Sequence, residues 1–122
     1  MATANALEVD DTPTSTFEEL LRLKTNLQAV RRKLLSVNPD QLDDAAHERW
    51  VDQVFELGKA INALRNAALE TLSQEFKREL PRLEAGTAQL AKDLRALRKA
   101  VDIVNVVSGA LGVVTSIVGL LG

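Results

Sequence analysis

Residues 103–122 read IVNVVSGALGVVTSIVGLLG, a run with no charged side chain in which eleven of twenty residues are Ile, Val or Leu. Burying such a side chain is worth about 1.5–3 kcal/mol, so leaving all of them in water would cost about 15–30 kcal/mol. A whole domain is stable by only about 5–15 kcal/mol. The run therefore has to be covered, and three covers are open to it: lipid, the rest of its own chain, or another subunit.

Lipid fits the length. A helix of this size spans about 30 Å, the hydrocarbon thickness of a bilayer. Lys92, Arg95, Arg98 and Lys99 stand just ahead of the run, after which Asp102 is the last charge. Bases in that place favour contact with anionic lipid and hold the bulk of a chain on the cytoplasmic side. The expectation is a tail-anchor-like helix over 101–122, a charged helical module over 16–100, and an acidic, disordered leader over 1–15. That leader has neither the basic start nor the apolar stretch of a secretory signal.

The small and polar residues of the run are ordered. Asn105, Ser108, Gly112, Thr115, Gly119 and Gly122 recur at 3-4-3-4-3 spacing, one stripe on a helix. In lipid, such a stripe lets two helices approach closely while Asn, Ser and Thr bond across the contact. The expected partners are therefore membrane lipid and either a second copy of the chain or another helical protein.

Protein covers suit the same residues. Folded back in a soluble bundle, 103–121 would lie between 17–35 and 41–61, and the stripe would serve close packing inside the monomer or an oligomer. A third course combines the two: a soluble cytoplasmic or secreted effector that sheathes the run, then releases it to form a pore. With nine β-branched residues and four glycines, 103–122 is a poor helix in water, so a β-hairpin turning near Ser108-Gly109 also fits.

Upstream, the pattern is helical. Leu20, Leu23, Leu27, Val30 and Leu34 keep a 3-4-3-4 spacing behind a Thr16/Glu19 capping box. Asn38, Pro39 and Gln41 mark a second start. Trp50, Val54, Leu57, Ile61 and Leu64 continue the seam, with Leu72 and Phe76 after a phase shift, so the second helix is expected to reach Leu80. Pro81, or Glu84-Ala85-Gly86-Thr87, should break it. Leu90, Leu94, Leu97 and Val101 then carry the seam forward in a third helix. The fold class expected is all-α: an antiparallel hairpin or three-helix, coiled-coil-like bundle with an apolar C-terminal helix.

Chemistry is sparse. The 122 residues include no Cys and one His, which excludes thiolate catalysis and a His-rich metal centre within one chain. Asp44 and His47 share a helix face at i,i+3, yet a bundle metal site needs more acids and a second His. No cofactor, small-molecule substrate or catalytic arrangement is expected. With 15 bases against 17 acids and 3% aromatics, a nucleic-acid surface is not expected either. Arg31-Arg32-Lys33 reads as dipole-matched charge at a helix C-terminus, and Trp50 as core.

Overall fold

The computed structural model describes residues 13–121, and among these there are four α-helices and no strand. They are α1 (Pro13–Leu35), α2 (Asp44–Arg65), α3 (Gln74–Arg95) and α4 (Ala100–Val118), with short 3-10 turns at Pro39–Gln41, Leu69–Thr71 and Gly119–Leu121. The all-α bundle is the one the periodicities require, but with four helices where three were expected. The leader lies mostly outside the described residues, as does Gly122.

Four local expectations change. First, α1 is already helical at Pro13, so Thr16 sits inside the helix instead of capping it. Second, the Asn38-Pro39 signal starts a 3-10 turn. Asn38 Oδ1 accepts from the Asp40 N–H (3.0 Å), the backbone extends at Leu42, and α2 begins one step later, where Asp43 Oδ1 accepts from the Ala46 N–H (2.8 Å). Third, α2 stops at Arg65 instead of reaching Leu80. Ser73 then caps a new helix by accepting from the Phe76 N–H at 3.1 Å. The phase shift between Leu64 and Leu72 is this eight-residue link.

Fourth, Pro81 lies within α3, as does the proposed turn 84–87. An interior proline costs about 3 kcal/mol because it cannot donate to the carbonyl four residues back. Pro81 is exposed, which leaves the Lys77 carbonyl open to water. Phe76, Leu80 and Leu83 on the opposite side are at most 4% exposed, and their burial holds the helix together across the defect. The break falls instead at 96–99, where the Leu97 N–H bonds the Leu94 carbonyl (3.1 Å) before α4 starts.

The helices alternate in direction, but the connection from α2 to α3 crosses the bundle. α1 packs on α2 and α3, and α4 packs on the same two, so α1 and α4 occupy one diagonal. Trp50 Nε1 donates to the Leu34 carbonyl (2.7 Å) and Arg31 Nε to the Val54 carbonyl (3.2 Å), an antiparallel α1–α2 register. Arg22 meets Glu84 at 3.6 Å and Asn26 Nδ2 donates to Thr87 Oγ1 at 3.2 Å, so α1 and α3 run parallel.

The core is one cluster drawn from every helix. Leu20, Leu23, Leu27, Val30 and Leu34 supply α1's share, Leu57, Ile61 and Leu64 that of α2, and Leu90 and Leu94 join Phe76 and Leu80 from α3. Val54 and Leu97 are half-buried at its edge. Val101 departs from the seam expected of it and is 42% exposed, because the break at 96–99 resets the helical phase ahead of it.

Candidate functional site

α4 and the turn after it, Ala100–Leu121, form the one element among the described residues long and apolar enough to cross a membrane. It is helical throughout, so the β-hairpin alternative is not the form found. It is not the centre of a three-helix bundle either, but one corner of four, reached by α2 and α3 and only marginally by α1. Ala100, Ile103, Val104, Val107, Val114 and Val118 turn inward and are buried. Of the most apolar eighteen residues, only 28% are buried in the bundle.

The outward side has a definite makeup. Val101, Val106 and Val113 are 42%, 37% and 59% exposed, with Gly109, Gly112 and Ser116 exposed among them. No charge interrupts this surface beyond Asp102. An ordinary amphipathic corner helix places charged residues there.

The small-residue stripe runs along the border between the α2-facing flank of α4 and its outward side, and its Asn105 and Ser108 meet α2. Arg49 Nη2 donates to Asn105 Oδ1 (3.3 Å). Gln53 Nε2 donates to both the Val104 carbonyl (2.9 Å) and Ser108 Oγ (2.8 Å). These bonds run in step along the two helices, which are parallel. Further on, Thr115 and Gly119 border a groove with Ala60 and Ala63 of α2 and Ala67 of the link after it. A Cβ added at Gly112 or Gly119 would meet nothing within 4 Å, so the glycines do not serve close packing inside this chain. Thr115 Oγ1 donates back to the Leu111 carbonyl at 3.0 Å, which satisfies it within its own helix. While α4 is docked, Asn105 and Ser108 are engaged by α2.

Gln53 was not singled out in the sequence. It is 2% exposed, and its Oε1 is buried without a hydrogen-bond partner. An unpaired buried acceptor costs about 1–3 kcal/mol. A polar residue at a seam position, four before Leu57, is the signal that could have revealed it.

Lys92, Arg95, Arg98 and Lys99 are all exposed, on the last turn of α3 and in the link to α4. They stand at the N-terminal end of the apolar helix. Because α1 and α3 are parallel, their C-terminal ends coincide, and Arg95 shares a groove with Arg32 and Lys33 of α1. The sequence keeps these two basic groups about sixty residues apart. His47 is exposed with its ring 5.7 Å from that of Trp50, and no three metal-ligating side chains converge among the described residues. Trp50 is half-buried rather than core, tied by its indole N–H to α1.

No protein-family model, curated protein or solved structure matches the chain at a significant level.

Proposed function

We propose that this chain is a non-enzymatic helical-bundle protein that associates with a membrane through α4. The observation that carries the reading is that a membrane-length apolar helix is held by the bundle on one side only, with 28% of its most apolar stretch buried. The bundle uses Ile103, Val104, Val107, Val114 and Val118. It leaves Val101, Val106 and Val113 exposed, and beyond Asp102 the surface around them carries no charge. Bilayer is the solvent in which the whole circumference of such a helix is covered. The remaining helices serve as the water-facing module, and the exposed bases ahead of α4 lie where anionic headgroups would meet them.

Cell fractionation tests this directly. The full-length chain should stay with membranes through high-salt and alkaline carbonate washes. Release into the soluble fraction by carbonate rejects insertion.

A second reading has an observation of its own. Six α4 residues already pack in the bundle and Gln53 clasps the helix from α2, which favours a soluble form that inserts later and permeabilises the bilayer. Dye-loaded liposomes separate the two: a passive anchor leaves them sealed, and a pore-former empties them. In the second case Gly112→Ile should reduce leakage, because it crowds the stripe along which inserted helices would meet. If the chain instead forms a stable, discrete oligomer in detergent-free buffer and never binds vesicles, the outer face of α4 is a subunit contact and both membrane readings fall.

A further inference from the structure

The outer groove between α1 and α2 carries a feature unrelated to α4. It is lined by Gln28, Arg31, Arg32, Asn62 and Arg65, with Leu35 and Ile61 as apolar walls, Gly58 among them, and a volume of about 400 Å³. Three arginines thus border one concavity, and among the described residues no carboxylate lines it. Gln28 and Asn62 add side-chain amide donors. Helix-surface arginines are commonly matched by acids one turn away, as Arg82 is by Glu79 at 2.9 Å in α3. Here they are not.

Two of the three are held in place. Arg31 is half-buried and its Nε donates to the Val54 carbonyl (3.2 Å), which fixes the guanidinium plane. Arg65 Nη1 donates to Asn62 Oδ1 (3.1 Å). Arg31 lies over Gly58, where an added Cβ would be in ordinary van der Waals contact with the head group, 3.5 Å from Nε. Planar donor forks are what recognises the oxygens of a phosphate.

We propose that this groove binds a phosphate group, with Arg31, Arg32 and Arg65 as its ligating residues. Arg32 and Arg65 each lie in the last turn of their own helix, where the dipole favours a base, and the pairing of α1 with α2 brings both to the border of one groove beside Arg31. The phosphate can belong to a soluble polyphosphate or to a lipid headgroup, and the groove chemistry is shared by both. Among the described residues the site is lined by α1 and α2 and not by α4, so it stands or falls independently of membrane insertion.

The test uses the full-length chain with two probes: inorganic pyrophosphate in solution, and phosphatidylcholine vesicles with or without phosphatidic acid. Trp50, the single tryptophan, reports binding through its emission, and calorimetry gives the affinity. The expected result is saturable binding that weakens about tenfold or more in Arg32→Ala and in Arg65→Ala, two exposed positions whose substitution should leave the melting temperature unchanged. Arg65→Lys, which keeps the charge and loses the fork, should recover only part of the affinity. Pyrophosphate binding without a preference for phosphatidic acid identifies a soluble ligand, and the reverse identifies a headgroup. The proposal is overturned if neither probe saturates, or if Arg32→Ala and Arg65→Ala bind as tightly as the unaltered chain. Carbonate-resistant membrane insertion could persist in either of those cases.

Discussion

α1 and α4 hold equivalent places in the bundle. They sit on one diagonal, and each packs against α2 and α3. Their inward faces do the same work: Leu23, Leu27, Val30 and Leu34 of α1 are 0% exposed, and Val104 and Val107 of α4 are at most 1% exposed. Their outward faces both expose apolar side chains but differ in charge. α1 turns Glu18, Arg22, Thr25 and Arg32 to water, with Phe17, Leu21 and Leu35 among them. α4 turns out Val106, Gly109, Gly112 and Val113, and its single charge is Asp102 in the first turn. A corner helix needs only one apolar stripe to fold, so α1's composition is explained by the bundle and α4's is not. The unexplained half of α4 is where selection for something other than folding has to be sought.

Substitutions can break or sharpen this contrast. The largest effect belongs to the shared inward faces. Leu27→Ala in α1 should lower stability by about 2–5 kcal/mol, and Val107→Asp in α4 should be at least as damaging because it buries an unpaired carboxylate. Thermal denaturation by circular dichroism measures both. If Val107→Asp were tolerated, α4 would not be a working part of the core.

Val113→Lys on the outer face should change stability by no more than about 0.5 kcal/mol. It should nonetheless oppose bilayer insertion by about 2.5–3.5 kcal/mol, the cost of a central lysine in a membrane helix. Vesicle flotation beside a melting curve reads the two effects separately. A large loss of stability would instead mean that another protein surface covers Val113.

A smaller effect is expected at the clasp. Gln53→Met keeps the shape, removes the unpaired Oε1 and leaves Ser108 able to bond within its own helix. It should be neutral or stabilising by about 1 kcal/mol, and it should slow any departure of α4 from the bundle, which time-resolved vesicle binding would detect. The smallest is Gly112→Ala, where the new methyl meets nothing. A gain of up to about 1 kcal/mol follows from helix propensity alone, and urea denaturation suffices to see it.

Much of this was readable in the residues. The all-α class, the α1 seam and most of the inward positions follow from 3-4 spacing, because burial on one face leaves that trace. The boundaries were less legible. Pro81 reads as a stop on local grounds, yet Phe76, Leu80 and Leu83 override it through contacts made far along the chain. The link at 66–73 contains no Gly or Pro and shows itself only as a slip in phase. For α4, its length and the stripe were visible, but not which flank the stripe would take: that depends on α2 lying parallel to α4, a matter of how the α2–α3 connection crosses the bundle. The Arg31, Arg32 and Arg65 groove was invisible for the same reason, since it joins two helices whose register no local pattern declares.

The parallel pairing of α1 with α3 has one more consequence. It gathers Arg32, Lys33 and Arg95 over one edge of the bundle's end. α2 begins at that same end with Asp43, Asp44 and Glu48. The molecule therefore carries a sideways electric moment there although its net charge is only −2. Near any plane of fixed negative charge it experiences a torque before it makes contact, and it arrives with the α1–α3 edge leading.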